Sequence, residues 1–192
     1  MATAAPFEPH PHGFSIADYH RMVESGILSA QDHVELITGE VIDMAPIGSQ
    51  HAGIVKKLSH LCNQAAAHAA IISVQDPVIL SDLSEPQPDI ALLHYRDDFY
   101  SSAHPRAEEI YLIIEVADST LRYDRTVKLP LYAQAEIPEI WIVNVEGKAL
   151  EIYRQPIDGT YQQQHRLETL GEISLEALPA ITLDLKSLFG TG

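Results

Sequence analysis

The segment from Glu109 to Val145, EIYLIIEVADSTLRYDRTVKLPLYAQAEIPEIWIVNV, constrains the fold more than any other part of the chain. It opens with an apolar, β-branched run of strand length, Ile110 to Ile114, which Glu115 ends. Ala117-Asp118-Ser119-Thr120 reads as a turn, and the residues after it have helical spacing until Pro138 stops them. Ile140-Trp141-Ile142-Val143 is a second buried run. Strand, helix and strand in this order predict two parallel strands with a helix packed over them. An acid at the mouth of a buried strand is where α/β proteins place chemistry, so Glu115 is the first candidate.

The flanking segments add elements to that unit. Phe14 to Met22 reads as a short helix capped by Ser15 and ended by Gly26. His33–Ile37 and Glu40–Met44 alternate as a hairpin around Thr38-Gly39. Ser49 is expected to cap a long helix to about Ala70, with Ile54, Val55, Leu58, Leu61 and Cys62 on its apolar stripe. Ile71–Val74, Val78–Leu80 and Ile90–Leu93 read as strands, and Arg96–Glu108 as a surface loop. Ala149–Arg154 and Tyr161–Arg166 pair across a turn over Pro156–Thr160. Ile181–Leu183 reads as a last strand and Leu185–Phe189 as a short helix. With no repeat or linker, residues 1–192 read as one domain, residues 1–13 being an extended leader with Pro6, Pro9 and Pro11.

Composition narrows the function. The net charge of -15, from 27 acids against 12 bases, disfavours tight sequence-independent DNA binding by a monomer and favours divalent-cation binding. The basic groups are few: Lys56-Lys57, and Arg122, Arg125 and Lys128. No apolar run reaches the ~18 residues of a membrane span. The N-terminus has neither the charge nor the apolar stretch of a secretory signal, which implies a cytoplasmic address. The single Cys62 excludes an internal disulfide and a cysteine-rich zinc site, and its surroundings suit a buried helix residue.

Asp89 precedes the strand Ile90–Leu93, and Glu115 closes its own strand. If these strands are neighbours, both carboxylates emerge together and, with a backbone carbonyl, make a hard oxygen site for Mg²⁺ or Mn²⁺. Lys128 shares a helical face with Leu131, Tyr132 and Ala135, and that face meets the sheet. Taken singly, Asp89 after Pro88 is also compatible with a turn cap, Glu115 with a solvated rim residue and Lys128 with a surface lysine. His51 alone is compatible with a surface histidine, and Glu35 could face water. Gly-rich phosphate loops, nucleophile elbows and His-Glu-x-x-His sites are absent from the sequence.

Four stretches in order, ELITGEVIDMAPIGSQHAGIV, PQPDIALL, IIEVADST and YDRTVKLPLYAQAEIPEIWIVN, resemble the Uma-type family of bacterial restriction endonuclease-like proteins, over roughly residues 14 to 155. The resemblance implies a mixed α/β fold of the PD-(D/E)XK nuclease superfamily: a curved mixed β-sheet flanked by helices. It implies a metal-dependent endonuclease in which Asp89, Glu115 and the Val116 carbonyl hold Mg²⁺ or Mn²⁺. Lys128 would act on the water, and Glu35 and His51 match recurrent family positions. The substrate implied is nucleic acid, DNA first, and scarce basic surface adds a homodimer. A non-catalytic binding or assembly module that keeps the fold is the alternative.

Two departures from the family pattern stand out. The superfamily lysine belongs two residues after the acid, where this chain has Ala117, so the role passes to Lys128. The family carries glycine where this chain has Glu136, at a left-handed helix cap.

Overall fold

The computed structural model describes residues 11–29 and 31–190. The expected leader lies, up to residue 10, outside the described residues. The first helix, α1 (Ile16–Glu24), starts at a capping box: Ser15 Oγ accepts from Asp18 N and Asp18 Oδ2 from Ser15 N. Strands β1 (Val34–Ile37) and β2 (Glu40–Asp43) form the expected hairpin. Its turn residues Thr38 and Gly39 both have positive φ, 50° and 82°, as a two-residue turn of matching twist requires. A Cβ at Gly39 would sit 2.9 Å from Gly13 Cα, so that turn has room for glycine alone.

Helix α2 (Ser49–Ala66) is followed by β3 (Ile71–Val74), β4 (Ile90–Leu93) and β5 (Ile110–Ala117). The chain then forms one short helix, α3 (Leu121–Tyr123), a π-helical turn (Asp124–Lys128) and α4 (Leu129–Gln134) without a break. Strands β6 (Glu139–Asn144), β7 (Ala149–Ile157) and β8 (Thr160–Leu167) complete a six-stranded sheet of order β3-β4-β5-β6-β7-β8. Only β5 and β6 run parallel, as expected of the two strands joined through a helix. A small pair, β9 (Glu172–Ser174) and β10 (Thr182–Asp184), lies near the C-terminus.

Each face of the sheet has its own core. Leu112, Ile114 and Val116 of β5 pack with Ile54, Val55, Leu58 and Cys62 of α2 and with Ile173 and Leu183 of β9 and β10. Ile113 and Ala117 pack on the other face, against Tyr132 of α4 and Ile137. Alternation along the strand therefore assigns Glu115, between Ile113 and Ala117, to the face that carries α4. Cys62 is fully buried, and burial pushes its thiol up to about 12, which suits packing and not nucleophilic chemistry.

Several sequence expectations need correction. Gly48, not Ser49, is the N-cap of α2, and the helix ends at Ala66, where Ala67 turns left-handed at φ 48°, not near Ala70. Val78–Leu80 is no strand: it makes a single bridge, Ile79 to Arg106, because the loop through Pro86 takes the hydrogen bond of Val78 N. The hairpin turn of β7 and β8 contracts to Asp158 and Gly159, with Pro156 opposite Tyr161 inside the ladder. Leu185–Phe189 forms turns in place of a helix, and β9 was not anticipated.

Glu136 adopts φ 58°, which confirms the left-handed cap after α4. A β-carbon there costs about 1 kcal/mol relative to glycine. Glu136→Gly is expected to stabilise the protein by about that amount in urea denaturation, and a destabilised variant would show that the glutamate side chain has a compensating contact.

Candidate active site

Five parts of the chain converge on one pocket of about 200 Å³, lined among others by Glu35, His51, Asp89, Glu115, Asp124 and Lys128. All five side chains singled out from the sequence stand in it. Asp89 stands immediately before the first residue of β4. Pairing of Ile90 with Ile114 places Asp89 beside the Glu115 position of β5. Asp89 is held on both oxygens: Oδ1 accepts from His51 Nε2 at 2.8 Å and from Gln75 Nε2 at 3.2 Å, and Oδ2 accepts from Val116 N at 2.8 Å. His51, on the first turn of α2, thus orients Asp89, and the Val116 main chain contacts both. The carboxylate of Asp89 holds the imidazole above its usual pKa range.

Glu35 comes from β1, which is fastened to the loop before Asp89 by the bridge from Leu36 to Glu85. Gln87 N donates to Glu35 Oε2 at 3.1 Å. Lys128 Nζ lies 3.2 Å from Glu35 Oε2 and 3.2 Å from Glu115 Oε1. Lys128 therefore reaches Glu115 from the helical segment that follows β5, while position 117, two residues after the acid, is alanine. Tyr132, one turn on, donates its hydroxyl to Glu115 Oε1 at 2.6 Å. The π-turn is what makes this possible: Leu129 N donates to Asp124 O, a wider loop than an α-helix closes. It leaves Asp124, Lys128 and Tyr132 all buried. Arg125 points elsewhere, gripping both oxygens of Glu151 on β7.

These charges are deep. Glu35, Glu115, Asp124 and Lys128 keep only 3%, 4%, 4% and 6% of their exposure. Burial pushes Glu115 up to about 8 against the pull of Lys128, with Asp124 and Asp89 adding repulsion. Burial likewise raises Asp124 to about 6, although the Thr120 hydroxyl and Lys128 favour its charged form. Burial disfavours the ammonium of Lys128, but Glu115, Glu35 and Asp124 outweigh it and hold the amine above its usual range. Lys128 is thus a fixed cation and a hydrogen-bond donor.

Four acids around one lysine leave excess negative charge at the floor of an open pocket. Among the described residues, no three His, Cys, Asp or Glu are drawn together as a ready ligand set; the lysine stands between Glu35 and Glu115. The donor chemistry nonetheless fits a hard dication: carboxylate oxygens, no thiolate, and uncompensated charge. The Tyr123 hydroxyl in the pocket wall fits too. It is the one buried side-chain polar atom without a hydrogen-bond partner among the described residues, as a group awaiting water or an oxygen ligand would be.

The sequence reading missed Asp124 and treated Tyr132 only as packing. The spacing Asp124-x₃-Lys128-x₃-Tyr132 was available as a signal, since residues four apart share a helix face. Gln75 and Gln87 carried none, because their roles depend on loops that only the fold brings together.

A solved structure with this architecture is the "Crystal structure of a putative nuclease belonging to DUF820" from Anabaena variabilis. It matches with a TM-score of 0.71 at 14% identity, covering 92% of this chain and 97% of that one. The fold is therefore the restriction endonuclease-like one expected. Residues 16–186 match the Uma2 family, described as "Putative restriction endonuclease", and the chain belongs to that family. No curated protein matches the chain.

Proposed function

We propose that the protein is a Mg²⁺- or Mn²⁺-dependent endonuclease that hydrolyses phosphodiester bonds of nucleic acid, DNA in the first place. The observation that carries this reading is the placement of the Lys128 ammonium 3.2 Å from both Glu35 and Glu115, in the pocket that also holds Asp89 and His51. Asp89, Glu115 and the Val116 carbonyl would hold the ion. Bound there, a divalent ion polarises the phosphodiester and lowers the pKa of a coordinated water. Lys128, locked in its charged form, donates to the attacking water and to the phosphoryl oxygens as their charge grows. Glu35 and Tyr132 hold the Lys128–Glu115 pair in place, and His51 keeps Asp89 aimed. The β1–β2 hairpin covers one wall of the pocket through Ile42, Asp43 and Met44 and limits water there.

The test is cleavage of single- and double-stranded DNA with Mn²⁺, wild type beside Asp89→Ala. Cleavage by the wild type alone is expected. Equal activity in both would place the chemistry elsewhere, and inactivity of the wild type on every nucleic acid tried would favour the assembly-module reading.

Two further parts belong to this proposal. No described helix is long and apolar enough to cross a membrane, and the lone thiol is buried, in keeping with a cytoplasmic enzyme. A homodimer would supply a second site for the second strand. The edge strand β8 is the candidate contact, since its backbone has one free side in the sheet. Light scattering at micromolar concentration is expected to give twice the chain mass, and a monomer would refute the dimer.

A further inference from the structure

The acid pocket repels the polyanion it would have to cut, so some neighbouring surface must hold the strand. Asp43 and Asp118 stand in the pocket wall besides the four buried acids. A second cavity, of about 380 Å³, adjoins this pocket and shares Ile47 and Gln75 with it. It runs between α2 and β3 and is lined by Ala52, Val55, Lys56, Ser59, His60 and Val74 besides those two. No carboxylate lines it. Lys56 and His60 are one helical turn apart, both exposed, and neither forms an ion pair among the described residues. Lys57, by contrast, points away and donates to Ser187 O. The groove therefore has an apolar floor of Val55, Val74 and Ile47 and a rim that carries the Lys56 ammonium and the His60 imidazole. In a chain of net charge -15 that combination is locally of opposite sign.

We propose that the groove between α2 and β3 binds the nucleotide flanking the scissile phosphate, with Lys56 and His60 on its phosphate and the apolar floor against its sugar and base. The proposal rests on the nuclease reading of the adjoining pocket. Its physical basis is complementarity: phosphate contacts by lysine and histidine position a strand, and an apolar floor accepts any base face. Gln75 ties the two sites together. It lines both cavities and donates to Asp89 Oδ1, so a strand in the groove is led directly to the carboxylates. The occupant is a single strand, because a side chain-lined groove beside a buried pocket accepts one backbone.

The experiment measures binding of a fluorescein-labelled, phosphorothioate single-stranded oligodeoxynucleotide by anisotropy over a series of salt concentrations, and cleavage of the unmodified strand with Mn²⁺. Lys56→Glu is expected to raise Kd at least about tenfold and to lower the slope of log K against log salt by about 0.7–1. His60→Ala is expected to raise Kd about threefold, the size of one lost phosphate contact. Arg106→Glu makes the same charge change beyond the opposite end of β5 and is expected to leave Kd within about twofold, because distant exposed charges are screened. The Mn²⁺-induced rise in Tm stays as in the wild type for all three, which also reports that they fold. Wild-type affinity and slope in both Lys56→Glu and His60→Ala would overturn the groove while leaving a cleaving wild type, and with it the nuclease reading, intact. A wild type that binds the strand through Lys56 without cleaving it would remove the nuclease and keep the groove. A wild type that does neither removes both.

Discussion

Lys128→Ala is expected to abolish the proposed cleavage and to destabilise the metal-free fold by about 3–5 kcal/mol near neutral pH, the cost of stripping one partner from a buried ion pair. The lysine is 6% exposed and its amine is shared by Glu35 and Glu115. Its removal leaves those two and Asp124 facing one another without a cation. Their cheapest response is to take up protons, so the destabilisation shrinks as pH falls toward about 5. Urea denaturation at two pH values reads this directly. On the proposed mechanism the lysine acts on water and phosphate and does not ligate the ion, so the variant is expected to keep the Mn²⁺-induced rise in Tm. Full stability with full activity in Lys128→Ala would remove the lysine from the site.

Metal-free stability falls as pH rises from about 5 to about 9. Glu115 is raised from 4.5 to about 8 and Asp124 from 3.8 to about 6, so over this range the folded chain binds more protons than the unfolded one. A carboxyl with a raised folded pKa contributes fully below its unfolded value and loses that contribution as pH climbs through the folded value. His51, raised above 6.5 chiefly by its hydrogen bond to Asp89, has the same sign. Divalent metal, bound as proposed, is expected to reverse the trend. It requires ionised carboxylates, so its stabilisation grows with pH and amounts to about 2.7 kcal/mol at one hundred times Kd. Thermal melts with and without Mn²⁺ should therefore diverge between acid and alkaline buffer. Asp89→Asn keeps the shape of the residue and is expected to lose most of the metal effect. Parallel melting curves across pH would mean that the buried acids do not titrate with folding.

The central unit was legible because two independent signals agreed there. Ile110–Ile114 and Ile140–Val143 are too apolar to be anything but buried, and the polar turn and helical spacing between them leave one handed way to connect them. Glu115 was legible as the end of the first run and Asp89 as the residue before a third, Ile90–Leu93, and the register of β4 on β5 brought their positions together. The π-turn was not legible. It differs from an α-helix by one hydrogen-bond step, and Asp124 and Arg125 look alike in any count of helical period. What separates them is the partner each finds, Thr120 for one and Glu151 for the other. The helix ends at Ser49 and Ala70 failed for a related reason: local propensity ranks serine above glycine as a cap, but Gly48 already has the extended backbone of the N-cap, φ -77° and ψ 161°.

The buried charges around Lys128 have a consequence for how this chain can change with time. Replacing a whole set of buried ions by apolar residues of similar volume is often neutral or stabilising by about 1–4 kcal/mol. For Glu115, Lys128 and Asp124, then, joint replacement by leucine and methionine ends level or downhill as far as folding alone is concerned, although the first single step breaks a buried pair and is costly. A lineage released from its chemistry would lose this cluster early and keep the sheet around it. Only completed decay of the site would be silent in folding assays, and a copy with a fully apolar pocket could circulate as a better-folded protein than its ancestor. Among copies of this fold, an intact cluster therefore separates working proteins from well-folded relics more sharply than any measure of stability.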